Sequence, residues 1–132
     1  MRKSILMVLL AVISNSAMAE WVWVDNGINT ITYADPDTIL KNGSRVKMWD
    51  LADFKTAQVL TGNPNPYMSM KERNEYDCKE SQVRTLVLYF ISRNMGRGKK
   101  INANNELGKW KPVPPEGLKN TLWKFACGKR SS

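Results

Sequence analysis

The sequence predicts an α+β domain: six strands followed by one C-terminal helix, with a disulfide holding the helix to the sheet. Three observations carry this. Six runs rich in β-branched and aromatic residues are separated by Gly, Pro, Asn and Asp clusters. The apolar period changes to a helical one near the C-terminus. The only two cysteines, Cys78 and Cys127, fall at the ends of a predicted strand and of the predicted helix.

The elements follow in order. Trp21-Val22-Trp23-Val24 is a short β-type run, turned by Asp25-Asn26-Gly27. Thr30 to Tyr33 is a second, broken at Asp35-Pro36-Asp37 because proline cannot donate to a ladder and acids favour turns. Asn42-Gly43 is a strong hairpin signal before a third strand from Arg45 to Phe54. Gly62-Asn63-Pro64-Asn65-Pro66 is a loop. From Tyr67 to Cys78 residue types alternate. Met68, Met70, Tyr76 and Cys78 take one face, and Ser69, Lys71, Arg73, Glu75 and Asp77 take the other, toward water. Glu72 and Asn74 interrupt the apolar face and predict a bend or bulge there. Gln82 to Arg93 is apolar on both sides at its centre, which predicts a mid-sheet strand covered on both faces. Met95-Gly96-Arg97-Gly98 turns it, and Lys99 to Asn104 is a weaker sixth strand.

Pro112-Val113-Pro114-Pro115 ends the sheet region. Pro115-Glu116 suits a helix start, since proline there needs no donor and an acid meets the positive end of the dipole. Leu118, Leu122 and Phe125 then share one face, Lys119 and Lys124 point away, and Gly128 fits the C-cap. No repeat, low-complexity stretch or linker divides the chain, so one domain is expected.

Residues 1–19 have the order of a secretory signal: Arg2 and Lys3, an apolar run from Ile5 to Ile13, then Ala17-Met18-Ala19 as an A-x-A cleavage site. The run is too short to span a bilayer, which takes about 20 apolar residues, and no later stretch is longer. Residues 20–132 are then the exported domain, placed in the periplasm or outside the cell, with no cysteine at the cleavage point to carry lipid. Export favours a disulfide between Cys78 and Cys127 over a metal pair or a reactive thiol. Removing Arg2 and Lys3 lowers the formal charge of +8 but leaves it strongly positive. A basic exported protein is drawn to acidic partners: lipopolysaccharide, anionic phospholipid, acidic glycans or acidic protein patches. Nucleic acid is an unexpected partner outside the cytoplasm.

Catalytic patterns are missing. With no histidine in the chain, the commonest general base and the Ser-His and Cys-His pairs are gone. Gly96-Arg97-Gly98 lacks the strand-to-helix step of a phosphate loop, and Asp35 and Asp37 lack the pattern of a calcium loop. Nothing marks a pair of carboxylates for acid–base work among the 12 acids. No enzyme activity, cofactor or metal is therefore expected. Two features suit partner binding. Arg93, Arg97, Lys99 and Lys100 surround one hairpin, as an anion-binding lip or a solvated loop. Trp21 and Trp23 share a strand face, where they either seal the sheet edge or form a contact site.

An ordered set of segments also carries a family resemblance. It runs through Thr32-Tyr33-Ala34-Asp35-Pro36-Asp37-Thr38-Ile39, Val46-Lys47-Met48-Trp49, Glu75-Tyr76-Asp77-Cys78-Lys79 and Arg84-Thr85-Leu86. It continues through Met95-Gly96-Arg97-Gly98-Lys99, Trp110-Lys111-Pro112-Val113-Pro114-Pro115 and Ala126-Cys127-Gly128. Order and spacing resemble the surface-adhesin protein E family of Gram-negative bacteria. The resemblance implies a six-stranded antiparallel β-sheet with the C-terminal α-helix packed on one face and tethered by the disulfide. It also implies a non-enzymatic protein, with a homodimer as one arrangement, whose namesake is a surface lipoprotein binding host matrix proteins such as vitronectin and laminin. Two functions follow as expectations: binding an extracellular matrix protein or acidic polymer, or serving as a periplasmic accessory protein on an envelope component.

Overall fold

A computed structural model describes residues 20–128; the expected signal segment lies outside the described residues. The sheet is antiparallel throughout. Its strands are β1 (Val22–Asn26), β2 (Thr30–Asn42), β3 (Arg45–Val59), β4 (Pro66–Asp77), β5 (Gln82–Ile91), β6 (Lys100–Asn104) and a two-residue β7 (Lys111–Pro112). They lie in the order β1 to β6, each beside its sequence neighbour, and β7 pairs with β5. A helix, α1 (Leu118–Cys127), ends the domain. Up-and-down order follows from short connections, which let each strand fold back on the last.

Several boundaries differ from expectation. Asp35-Pro36-Asp37 does not end β2; the strand runs on through a register shift between Asp35 and Leu40. The shift stabilises itself locally. Asp35 Oδ1 accepts the Asp37 amide at 3.1 Å, and the Thr38 hydroxyl donates to the Asp35 carbonyl at 2.7 Å while accepting the Trp49 amide at 3.0 Å. Proline is tolerated because a bulge asks no ladder bond of it. β3 likewise continues past Phe54 through a second shift, between Asp53 and Gln58. β5 is not the covered centre of the sheet: it lies one strand from the edge, and Leu86 to Phe90 are half-buried. The helix begins at Leu118 after Gly117, whose positive φ of 93° turns the chain, not at Pro115-Glu116.

The helix packs on one sheet face. Leu122, Trp123 and Ala126 meet Val24, Ala34, Val46, Met48, Tyr76 and Val83. The buried stripe is thus turned from the expected one: Trp123 enters the core and Leu118 stays 38% exposed. The Trp123 Nε1–H donates to the Asp77 carbonyl at 3.0 Å. Cys78 and Cys127 are disulfide-bonded, fixing the end of β4 to the end of α1 as expected. Gly128 caps the helix with φ of 74°. Asp77 Oδ1 accepts the amides of Lys79 and Glu80, and those bonds, with Arg45 nearby, hold its carboxyl below the ordinary value.

The interruption at Glu72 and Asn74 is a polar chain on the helix side of the sheet. Asn74 Nδ2 donates to Asp50 Oδ2 at 2.9 Å, and the Thr85 hydroxyl lies 2.9 Å from Glu72 Oε1 and 3.0 Å from Asn74 Oδ1. The β4–β5 register shifts between Arg73 and Asn74, the predicted bulge. Burial pushes the Asp50 carboxyl well above its ordinary value, and the Glu72 charge pushes it further. A raised carboxyl stabilises the fold fully below the ordinary Asp value, and that contribution is lost as pH rises through the raised value. Asp50→Asn, which keeps an acceptor for Asn74, should therefore raise the melting temperature at neutral pH by a few degrees, for on the order of 1 kcal/mol. It should also flatten the fall in melting temperature between acid and neutral pH. An unchanged pH profile would mean that Asp50 titrates as it does in the unfolded chain.

Candidate binding face

The helix packs on one face of the sheet, over β1 to β4. Strand alternation sends every second side chain to the other face, and the register identifies them. Trp23, Tyr33, Leu51, Lys71 and Tyr89 stand opposite one another across β1 to β5. Two residues along, Asp35, Trp49, Arg73 and Val87 form the next row. Beyond it, Lys47 faces Glu75, which faces Arg84.

Rings and cations alternate on this face. The Lys71 ammonium lies 5.9 Å from the Trp21 ring centre and 5.4 Å from that of Trp49. Trp49 stacks on Tyr89 at 5.7 Å, and the Lys100 ammonium sits 3.9 Å from the Tyr89 ring centre. At the other end, the Arg84 and Arg45 guanidinium groups lie 4.5 and 5.0 Å from the Trp110 ring centre. Cation–π attraction at these distances is worth roughly 0.5–1 kcal/mol where exposed, enough to order long side chains over the rings.

The hairpin after β5 closes one end. A 3-10 turn at Asn94–Gly96 folds back on the sheet, where Asp53 Oδ1 accepts the Met95 amide at 2.7 Å and Ser69 Oγ accepts the Gly96 amide at 3.0 Å. Met95 holds a positive φ of 58°, which these bonds stabilise. This turn buries Ser69 and Leu51, and Glu75 and Asp77 are buried too. The β4 face that alternation assigns to water is therefore the helix-free face, but only partly wet. Arg93, Arg97, Lys99 and Lys100 are all exposed on the hairpin.

The structure thus brings together Trp21, Trp23 and Lys100 of the expected contact residues, with Arg93, Arg97 and Lys99 on the turn at the same end. Trp23 is 57% exposed, its Nε1–H donating to Asn26 Oδ1 at 2.8 Å. Sequence reasoning missed Trp49, Lys71, Arg73, Tyr89 and Trp110 as parts of one surface. Strand parity was the available signal, but parity alone does not say which residues of different strands stand side by side. A separate cleft of 440 Å³ opens beside the helix, lined in part by Glu72, Thr85, Leu88, Lys109 and Lys119.

A family model described as surface-adhesin protein E matches residues 21–128, nearly all of the described domain. The chain belongs to the surface-adhesin protein E family. Its fold is that of Haemophilus influenzae protein E. One solved structure of that protein superposes with a TM-score of 0.66 at 14% identity, covering 85% of this chain and 89% of the other. A second, from the non-typeable organism, gives 0.63 at 13% identity over 80% of this chain and 75% of the other. No curated protein sequence matches. This adhesin E domain has an antiparallel sheet, a terminal helix and the Cys78–Cys127 disulfide. No helix among the described residues is long and apolar enough to cross a membrane.

Proposed function

We propose that this adhesin E domain is an exported, non-enzymatic interaction module that engages its partner through the helix-free sheet face. One observation carries the reading: half-buried rings and cations interleave over that face while the helix packs on the other, over β1 to β4. Such a surface offers stacking area and positive charge without a deep pocket, which suits contact with a macromolecule. Export rests on residues 1–19 and on the oxidised Cys78–Cys127 pair, which fits an oxidising compartment.

The test is a pull-down from envelope extract and from matrix proteins, comparing parent protein with Trp23→Ala combined with Lys71→Ala and Lys100→Ala. The triple variant should fold, because none of the three lies in the helix-side core, and should lose at least tenfold in capture. Partner binding unchanged in the variant would remove the sheet face from the reading. Cell fractionation then separates an adhesive role from an accessory role on an envelope component, since protein confined to the periplasm has no access to host matrix.

A further inference from the structure

The charge left over on the helix-free face narrows the partner. Every acid placed there by the register is already engaged inside the protein. Glu75 pairs with Arg84 at 2.6 Å. Asp77 takes two backbone amides and lies 3.7 Å from Arg45. Asp53 holds Asn94 and the Met95 amide, and Asp35 closes its own turn. Four cations of the same face, Lys47, Lys71, Arg73 and Lys100, have no carboxylate partner among the described residues. The Arg73 Nε is buried with no hydrogen-bond acceptor at all. The face therefore carries net positive charge spread along its length, not at one point.

Rings lie between those charges. Trp21, Lys71, Trp49, Tyr89 and Lys100 form a continuous series in which each member lies 3.9 to 5.9 Å from the next. The series crosses the sheet from the β1 side to β6. A partner matching this pattern is extended and presents flat C–H faces and anions in alternation. A chain of acidic sugars does both: ring faces stack on aromatics while a carboxylate on each unit meets a cation. An acidic peptide offers the charges but not the repeated flat faces.

Resting on the reading that this face is the contact surface, we propose that it binds a linear acidic polysaccharide along the Trp21–Lys71–Trp49–Tyr89–Lys100 series. The rings supply stacking and Lys71, Arg73 and Lys100 neutralise the carboxylates.

Tryptophan fluorescence titration of the purified exported protein tests it with four probes: oligogalacturonate, its methyl ester, galacturonic acid monomer and polyglutamate. Oligogalacturonate should shift the emission and bind at least tenfold more tightly than the monomer, which spans one ring only. The methyl ester, with the same rings and no charge, should lose tenfold or more. Polyglutamate, with charge and no rings, should bind weakly and leave the emission unshifted. Trp21→Ala should reduce affinity for the oligosaccharide several-fold without altering the residual binding of polyglutamate, and Lys100→Ala should weaken both. Equal affinity for acid and ester, or for oligogalacturonate and polyglutamate, overturns the proposal. So does the absence of any binding. If the pull-down still depends on Trp23, Lys71 and Lys100 while oligogalacturonate fails, the polysaccharide falls and the sheet face stands. If size-exclusion shows the parent as a dimer that the same triple variant dissolves, and the saccharide fails, the face belongs to a second copy and the proposal is likewise overturned.

Discussion

Cys78→Ser is expected to lower the melting temperature by roughly 15 °C while leaving most of the sheet signal in circular dichroism. The bond closes a loop of 49 residues. Constraining the unfolded chain over that length contributes about 4 kcal/mol in the chain-entropy account, and each kcal/mol is worth about 4 °C in a domain of this size. The effect is local in the folded state. Cys78 follows the last residue of β4 and Cys127 is the last residue of α1, so without the bond the helix is held by its apolar stripe and the Trp123–Asp77 hydrogen bond. The strands keep their ladders. Reduction of the parent protein should reproduce the shift, which separates loss of the bond from any effect of the serine. Equal melting of parent and variant would show that docking of the helix does not depend on the covalent link.

Trp123→Ala is expected to cost about 3–5 kcal/mol, the range for truncating a large buried aromatic. The ring is 8% exposed and sits in the cluster with Met48, Tyr76 and Val83. Its indole N–H also satisfies the Asp77 carbonyl, one residue before Cys78. Trp123→Phe keeps most of the apolar area and drops that bond, so it should cost less, about 1–3 kcal/mol. Because Trp123 and the disulfide hold the same helix against the same strand end, their effects should not add. The double variant should fall short of the sum by on the order of 1 kcal/mol, since once the helix is released the second loss costs little. Denaturant unfolding of the four proteins measures this directly. Strict additivity would mean that the bond and the ring stabilise separate parts of the domain.

The surface predictions differ in kind. Removing Trp23, Lys71 and Lys100 should lower melting by no more than the lost cation–π contacts allow, a few degrees, while capture falls at least tenfold, because none of the three lies in the helix-side core. A salt series adds a second reading. Charges on an open face are screened within about 8 Å at physiological ionic strength, so affinity should drop as salt rises.

The turns show why some boundaries could not be read along the chain. Asp35-Pro36-Asp37 has the composition of a strand end, and locally it behaves as one, with Asp35 Oδ1 accepting the Asp37 amide. β3 nevertheless continues alongside, and the Thr38 hydroxyl supplies the acceptor that the Trp49 amide needs. A bulge was therefore stabilised where the residues alone predict a break. The centre of β5 misleads in the opposite sense. Its unbroken apolar run predicts cover on both faces, yet the helix packs over β1 to β4 and leaves Leu86 to Phe90 half-buried.

Residue types and their spacing along the chain were enough to give the number and type of the main strands, the terminal helix and the Cys78–Cys127 link, and to rule out histidine chemistry. These follow from local periodicity and composition, which act within a few residues. That Trp21, Lys71, Trp49, Tyr89 and Lys100 form one surface, and that Trp123 belongs to the core, emerges from the folded sheet. Those five residues come from the β1 edge and from β3, β4, β5 and β6, and their neighbourhood depends on strand register. A slip of one residue would send any of them to the helix side. Register is a property of the assembled sheet, fixed by the bulges, the turns and the helix together.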